Sequence, residues 1–379
     1  MSGDSLKVGV LGYRFMGKAH ANALARLPMF FPDAPATDRH VLVGRDEAAL
    51  AKAADRLGFE TTSTDPESAI EDVDVFYNLG PNAVHPEFSI AALEAGVPVF
   101  CEKPLAHTLD AAERMNDAAN AADVPAGVAF NYRFVPAIRY AKRLIDEGVL
   151  GEIRHVDGAY LQDWLADDDA PWSWRNDESV AGSGALGDLG AHTLDLARFL
   201  VGEQAGPIER LSGHLHTFTD ERPVDETDPN GETRPVTVDD AYTAQASFAN
   251  GAVGTFEASR VARGHKNDHT IRVLGSEGSV QFSLERLNEL EVKERDDRGY
   301  RTVLVTDEDD PYLDHWWPPG HVIGWEHTFV HENYEFLTSV VEGTEFSPSF
   351  GDGYRVQQLL AAVEESDASG EWVETPADD

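Results

Sequence analysis

Two residues that could exchange a proton with a substrate are Asp188 and His192. They are four positions apart and share one face if a helix begins here. A carboxylate beside an imidazole fixes the ring's tautomer and raises its basicity, which suits removal of a hydroxyl proton. The alternative is an N-cap aspartate followed by a core histidine, and the pair taken alone favours that alternative.

A lysine that could take part in a reaction follows the apolar run Val97–Cys101 and lies between Glu102 and Pro104. At the end of a buried strand, Lys103 could transfer a proton or polarise a substrate oxygen. The alternative is a surface lysine in a loop. The chain has only seven lysines, and we favour the functional interpretation.

A glycine-containing turn lies between the apolar run Leu6–Leu11 and the helical stretch Ala19–Leu27. Glycines in such a turn let the backbone approach a pyrophosphate at the helix N-terminus. The fingerprint is incomplete, because Arg14 replaces its middle glycine; this arginine either contacts phosphate or is a solvated turn residue. We expect cofactor contacts here from Gly12, Arg14, Phe15, Met16 and Gly17.

Three further strand ends should face the same cofactor, since ligands of open parallel sheets lie beyond the carboxyl ends of the strands. At the end of the second strand, arginine suits the extra phosphate of NADP and an acid suits the ribose of NAD, so the sequence leans towards NADP and leaves NAD open. The expected cofactor contacts at these strand ends are Gly44, Arg45, Asp46, Pro81, Asn82, His85, Glu102 and Lys103.

The elements that must position these residues change character near residue 130. Before it, short strands alternate with helices, which predicts a parallel, doubly wound sheet. After it come a helix and several strand candidates with turn signals, which predict an antiparallel sheet with helices on one face. We therefore predict an α/β protein with a dinucleotide-binding domain over 1–130 and a substrate-binding α+β domain over 131–379. The stretch Thr217–Asp240 is expected to be a surface excursion.

The charge is extreme: 68 acidic against 30 basic residues give a net charge of −38. Such a field repels nucleic acid and anionic lipid. The composition is typical of salt-in halophiles, with an acidic mesophilic protein as the alternative. A single cysteine, no long apolar run and a polar N-terminus predict a cytoplasmic protein. The absence of a Cys/His cluster predicts no metal site.

Taken together, the motifs resemble the Gfo/Idh/MocA family, which includes glucose–fructose oxidoreductase and inositol dehydrogenases. The resemblance runs nearly from end to end and rests on Gly12-x4-Gly17-x2-His20, Pro81-Asn82-x2-His85, Glu102-Lys103-Pro104, Asn131-Tyr132-Arg133 and Asp188-x-Gly190-x-His192-x2-Asp195, with Pro348 to Gly353 and Gly370 to Trp372 near the C-terminus.

The resemblance implies a Rossmann domain followed by a large, mostly antiparallel, open-faced sheet that commonly forms a dimer or tetramer interface. It also implies a catalytic group of Lys103, Asp188 and His192. His192 would be the principal acid/base, tuned by Asp188, and Lys103 would hold the reacting oxygen. Some members give the acid/base role to the lysine, and the sequence leaves that choice open.

The closest resemblance is to the sugar and inositol dehydrogenases, through tryptophans with polar neighbours. Aromatic planes stack on sugar faces and polar side chains bind hydroxyls, although each tryptophan alone could be a core or interface residue. The expected substrate contacts are Tyr132, Arg133, Gln162, Trp164, Trp174, Arg175, His192, Trp316 and His321.

The predicted function is NAD(P)-dependent hydride transfer at a hydroxyl or carbonyl carbon of an aldose, an inositol or an anhydrosugar. Two alternatives use the same fold. One is a redox-neutral, NAD-dependent cleavage of glycosides, and the other is a dinucleotide-sensing regulator without catalysis. Lys103, Asp188 and His192 occurring together argue against the regulator.

Overall fold

The computed structural model of the chain describes residues 5–225, 227–228 and 231–376. Its strands are β1 Leu6–Leu11, β2 Thr37–Val43, β3 Thr61–Ser63, β4 Val75–Asn78, β5 Val99–Cys101, β6 Ala126–Val128, β7 Ile153–Leu161, β8 Ile208–His216, β9 Glu221–Pro223, β10 Thr233–Pro235, β11 Ala241–Phe248, β12 Val253–Ser259, β13 Asp268–Gly275, β14 Ser279–Ser283, β15 Glu289–Lys293, β16 Arg301–Leu304 and β17 Val373–Glu374. Its helices are α1 Phe15–Phe30, α2 Glu47–Leu57, α3 Pro66–Ile70, α4 His85–Glu94, α5 Leu109–Ala121, α6 Pro136–Asp146, α7 Glu178–Ala181, α8 Ala191–Ala205, α9 Glu326–Glu342 and α10 Phe350–Ser369.

The chain divides into two compact units. The first comprises the described residues up to Phe134 together with Gly324–Tyr354, and the second comprises Val135–Ile323 and the described residues from Arg355. The sequence predicted a single boundary at 130/131 and placed 324–354 in the second domain. The difference from that prediction is that α9 packs in the first unit. Its Asn333 accepts a hydrogen bond from the Tyr77 hydroxyl of β4 at 2.8 Å.

The first unit is built on a parallel sheet with the strand order β3-β2-β1-β4-β5-β6. Its central strands are fully buried at Val8, Val10 and Phe76, as expected for a sheet covered by helices on both faces. The predicted doubly wound α/β arrangement is confirmed. The short elements β3 and α3 did not stand out in the sequence.

The second unit is built on a sheet with the order β16-β15-β14-β13-β7-β12-β11-β8-β17. Every pair in it is antiparallel except β7 with β12, so the predicted, mostly antiparallel sheet is confirmed. Helix α8 packs on one face: a Cβ at Gly158 of β7 would lie 2.3 Å from Thr193 Cγ2. On β11 buried residues alternate with Thr243 and Gln245, which are exposed on the other face.

The stretch 217–240 is more than a surface excursion. It contains the hairpin β9–β10, but Arg222 within it is fully buried. The guanidinium donates to the carbonyl oxygens of Leu165 (2.9 Å) and Asp167 (3.0 Å), and it lies 3.9 Å from the buried Asp240 carboxylate. These contacts anchor the stretch in the second unit, where Arg222 and Asp240 form part of the buried core.

Within the described ranges, no helix is both long and apolar enough to cross a bilayer.

One carboxyl group in the first unit is buried without hydrogen bonds from the described residues. Glu332 of α9 is fully buried, and neither of its oxygens has a hydrogen-bond partner in the part of the chain that the structure describes. Burial raises its pKa well above the usual value, and the nearby charge of Glu102 raises it further.

Replacing Glu332 with glutamine should therefore change the pH dependence of stability. The folded-state pKa lies above the unfolded value, so the wild-type free energy of unfolding falls as pH rises through the window between them. Glutamine carries no such proton. The unfolding free energy of Glu332→Gln minus that of wild type should rise by about 1.4 kcal/mol per pH unit in that window.

Urea unfolding at constant salt, from acid to neutral pH, measures this difference. Glu335→Gln is the matched control, because it removes a partly exposed carboxyl from the same helix and should give no comparable slope. A difference between Glu332→Gln and wild type that does not change with pH would mean that the pKa of Glu332 is not raised by folding.

Candidate active site

The glycine turn of the first unit is a cradle that only glycine allows. Gly12 has a φ of +108°, and a Cβ there would lie 2.6 Å from the carbonyl oxygen of Leu79. A Cβ at Gly17 would lie 2.2 Å from the carbonyl oxygen of Gly12. The turn sits where the strand order reverses, between β1 and β4, and the first turn of α1 has no acidic residue. These features fit a dinucleotide pyrophosphate.

Aromatic residues line the outer side of this turn. Arg14 and Phe15 are exposed, Met16 is half-buried, and the Phe15 ring stacks on Trp325 with centroids 5.5 Å apart. The Trp325 indole N–H donates to the Tyr132 hydroxyl at 3.3 Å. Tyr132, an expected substrate contact, is buried beneath this pair. Trp325 was not predicted, since no motif of the sequence contains it.

The end of β2 has the composition of an adenosine site. A Cβ at Gly44 would lie 2.4 Å from the Tyr13 ring, so glycine lets Tyr13 lie against the backbone here. The Asp46 carboxylate caps α2 by accepting the Ala49 N–H at 3.0 Å. Arg45 between them is exposed.

The loop that carries Lys103 is held by two buried side chains. Glu102 accepts the backbone N–H of Lys103 on Oε2 and faces His20 with Oε1, each at 3.2 Å. The fully buried ring of His85 lies 3.1 Å from the Pro104 carbonyl oxygen and 3.0 Å from that of Gly80. Burial lowers the pKa of His85.

Glu102 and His85 are expected cofactor contacts. Their hydrogen bonds within the protein hold the loop that carries Lys103. Asn82, also predicted as a contact, is buried at the end of β4, and Pro81 precedes it in extended conformation.

Arg133, an expected substrate contact, is buried within the first unit, where its guanidinium donates to Ser347 Oγ at 3.1 Å and lies 3.3 Å from an Asp352 carboxylate oxygen. A buried charge needs such a partner, so the ion pair stabilises this arginine in the fold.

Asp188 and His192 lie at the start of a helix in the second unit. Asp188 is in a π-helical turn, Leu186–Gly190, and His192 is in the first turn of α8. Such turns occur often at functional sites. The Arg175 Nε lies 3.8 Å from an Asp188 carboxylate oxygen, and its guanidinium lies 4.4 Å from the Trp174 ring centroid. The structure thus brings three predicted residues, Trp174, Arg175 and Asp188, into one cluster.

A buried acid fixes the start of this helix. Asp239 accepts the backbone N–H groups of Gly184 at 2.6 Å and Leu186 at 2.8 Å, and burial raises its pKa. A Cβ at Gly184 would lie 1.7 Å from the Asp239 carbonyl oxygen, so only glycine fits. Arg260 donates to that same oxygen at 2.8 Å and to the Arg175 carbonyl oxygen at 3.2 Å. Arg260 therefore links the backbone of Asp239 to the backbone of Arg175.

Two aromatic neighbours of His192 were missed by the sequence analysis. The rings of Tyr160 and His269 lie 6.0 Å and 6.3 Å from the His192 ring and stack on each other at 4.5 Å. Burial lowers the pKa of His269 to about 3, so it stays neutral. The two residues face each other across β7 and β13, and only the strand register could have paired them.

The remaining predicted substrate contacts also lie in the second unit. Gln162 donates to Asn267 Oδ1 at 2.7 Å, and Trp164 is 44% exposed with the Arg260 guanidinium 5.9 Å from its ring centroid. Trp316 and His321 lie on the long connection between β16 and α9, where His321 donates to the Pro318 carbonyl oxygen at 2.7 Å.

No cluster of three or more His, Cys, Asp or Glu residues suited to a metal ion occurs in residues 5–225, 227–228 and 231–376.

Comparison with known proteins gives matches in both units. The family model of the oxidoreductase family with an NAD-binding Rossmann fold matches residues 6–130, and that of the GFO/IDH/MocA C-terminal domain matches residues 138–281. A levoglucosan dehydrogenase from Pseudarthrobacter phenanthrenivorans is 43% identical over 390 residues, covering 98% of this chain and 99% of the relative.

Two further matches bear on the cofactor. A solved structure of levoglucosan dehydrogenase with NADH and levoglucosan superposes with a TM-score of 0.93 at 43% identity, covering 98% of this chain and all of the other. A D-xylose 1-dehydrogenase (NADP+) from Haloarcula marismortui is 32% identical over 246 residues, 64% of this chain and 63% of the relative. These relatives act on sugars with NAD or NADP. With matches that run through both of its units, the chain belongs to the Gfo/Idh/MocA family of NAD(P)-dependent oxidoreductases.

Proposed function

We propose that the protein oxidises one hydroxyl-bearing carbon of a sugar or cyclic polyol with NAD(P), and that an anhydrosugar of the levoglucosan type is its substrate. The observation that carries this proposal is the cluster of Trp174, Arg175 and Asp188, in which Asp188 lies one helical turn before His192. It combines an aromatic surface for a sugar face with ionisable groups for its hydroxyls. The 43% identical relative supports the substrate class.

The first unit would hold the dinucleotide. Gly12 and Gly17 leave room for the pyrophosphate, the N-terminal N–H groups of α1 bind it, and Arg14 adds positive charge. When bound, the nicotinamide supplies the hydride acceptor. The Lys103 ammonium group binds and polarises the reacting oxygen of the substrate.

The second unit would move the proton. His192 accepts the hydroxyl proton as the reacting carbon is oxidised, and the imidazolium that forms is stabilised by the Asp188 carboxylate. The Arg175 Nε, 3.8 Å from an Asp188 carboxylate oxygen, pairs with that carboxylate and holds it beside Trp174. His269 is neutral, so it adds no competing positive charge beside the His192 ring.

We also propose NADP as the preferred cofactor. Asp46 already uses its carboxylate to cap α2, whereas Arg45 beside it is exposed and carries the charge that a 2′-phosphate needs. The levoglucosan dehydrogenase structure contains NADH, so the two cofactors must be compared directly.

The first prediction of this proposal is reduction of exogenous cofactor. Purified protein in molar KCl, offered NAD and NADP with levoglucosan, aldoses and inositols, should raise the absorbance of the reduced nicotinamide with levoglucosan and show a higher kcat/KM for NADP. Product formation without cofactor reduction would support redox-neutral glycoside cleavage. Dinucleotide binding without any turnover would support the regulator.

The second prediction concerns the proposed catalytic group. His192→Ala and Lys103→Met should each lower kcat by about 10²-fold or more, because each removes a group that handles the reacting oxygen or its proton. Lys52→Met, at an exposed position of α2, is the matched control and should keep full activity. Wild-type turnover in both active-site variants, with the fold checked by circular dichroism, would refute the assignment.

A further proposal concerns assembly, environment and location. We propose that copies associate through the open face of the sheet in the second unit, where Asp157 and Arg272 pair at 2.8 Å among residues such as Gln245 and Glu257. At a net charge of −38 the copies repel one another unless salt screens them, which fits adaptation to a salt-rich cytoplasm. The single cysteine is consistent with that location.

Light scattering over a series of KCl concentrations checks this. The mass should be that of a dimer or tetramer in molar KCl and fall to that of the monomer when salt is removed. Gln245→Glu, which places an extra negative charge at the middle of the face, should raise the salt concentration needed for association. A monomer at every salt concentration would contradict the assembly proposal, and a mass independent of salt would contradict the proposed halophilic adaptation.

A further inference from the structure

One fully buried histidine has no part in the mechanism above. His20 of α1 is completely buried, with Nε2 3.2 Å from Glu102 Oε1 and Nδ1 3.1 Å from Asn333 Nδ2. It belongs to the same glycine motif as Gly17, but it lies behind the turn, in the core of the first unit. All three residues lie in that unit.

The hydrogen bonds of Asn333 decide which nitrogen of His20 carries the proton. Asn333 Nδ2 donates to the Phe329 carbonyl oxygen at 2.7 Å, and Oδ1 accepts the Tyr77 hydroxyl at 2.8 Å. This fixes the orientation of the amide, so its N–H faces His20 Nδ1, which must accept. The ring proton of His20 is therefore on Nε2 and is donated to Glu102.

The donated proton fixes the Glu102 carboxylate. With Oε1 bound to His20, Oε2 accepts the Lys103 backbone N–H at 3.2 Å. The His20 ring packs edge-on against three aromatic rings, with centroids 5.3 to 5.7 Å away, which restricts its rotation: Tyr77, Phe100 and Phe329. A chain of hydrogen bonds thus runs from Asn333 through His20 and Glu102 to the backbone of Lys103.

We propose that His20 is a positioning residue for Lys103: its Nε2–H holds Glu102, and Glu102 holds the backbone from which the lysine side chain extends. This inference rests on the proposed role of Lys103 as the group that binds the reacting oxygen. Because a small displacement of a catalytic group costs much of its effect, loss of this hydrogen bond should lower kcat without unfolding the protein.

Two amide substitutions separate positioning from packing. The amide nitrogen of glutamine can occupy the place of His20 Nε2 and donate to Glu102. The shorter asparagine side chain reaches only the place of Nδ1, so it can bind Asn333 but not Glu102. His20→Asn should lower kcat about tenfold or more, with little change in the dissociation constant for NADP. His20→Gln should keep kcat close to that of wild type, although both variants lose stability by similar amounts.

Tyr77→Phe is the matched control, because its hydroxyl lies beyond Asn333 and does not touch His20 or Glu102 through a hydrogen bond. The substitution removes the hydroxyl that donates to Asn333 Oδ1 but leaves the amide anchored to Phe329, so the melting temperature should fall while kcat is retained. Equal losses of kcat in His20→Gln and His20→Asn, in proportion to their melting temperatures, would overturn the proposal and leave His20 a packing residue.

The double variant His20→Asn/Lys103→Met completes the test. If His20 acts through Lys103, the His20 substitution should cause no further loss of kcat in the Lys103→Met background. Additive losses would overturn the inference while leaving the dehydrogenase activity in place. If wild-type protein turns over no sugar with either cofactor, it is the proposed function that fails, and the two failures are distinguishable.

Discussion

The first unit depends on a carboxyl group that is taken out of water and held by hydrogen bonds. Glu102 is only 5% exposed, and a buried polar group is costly unless hydrogen bonds compensate it. His20 supplies one donor and the backbone of Lys103 the other. Glu332, which is also buried nearby, has no such hydrogen bonds within the described residues, and its burial raises its pKa well above the usual value. The position of the candidate catalytic lysine follows from the two hydrogen bonds of Glu102.

The second unit also has a buried acid that holds the backbone near a candidate catalytic residue. Asp239 is buried at the turn before Asp188 and accepts two backbone N–H groups, while Arg260 binds its carbonyl oxygen. In both units a buried acid accepts backbone N–H groups at, or shortly before, a candidate catalytic residue. Removing either acid would leave buried N–H groups without acceptors, which costs more than the hydrogen bonds contribute.

Much of this could be predicted from sequence because it is local. Gly12 and Gly17 are required by contacts within their own turn and with the neighbouring strand end, and the strand–helix rhythm specifies the parallel sheet. Contacts between residues that are distant in the sequence could not be predicted. Arg133, expected as a substrate contact, forms an ion pair with Asp352, which follows it by more than two hundred positions.

The return of the chain to the first unit was the main feature that local patterns could not show. Asn333 lies 313 positions after His20, and nothing in the spacing of α9 indicates which unit it joins. Likewise, the stacking of Tyr160 on His269 depends on the register between β7 and β13, which the sequence does not reveal. Motifs therefore identified the candidate catalytic residues, while the residues that hold them came only from the structure.

Transfer of the substrate's own hydrogen is the most direct test of the account. Levoglucosan deuterated at its ring carbons would be incubated with the protein and NADP, and then with NAD, and the reduced cofactor and the sugar would be analysed by mass spectrometry. We predict one deuterium on the nicotinamide ring and a sugar product that has lost it. A product that retains all its deuterium, with no label on the nicotinamide, would contradict net oxidation of the sugar by NAD(P).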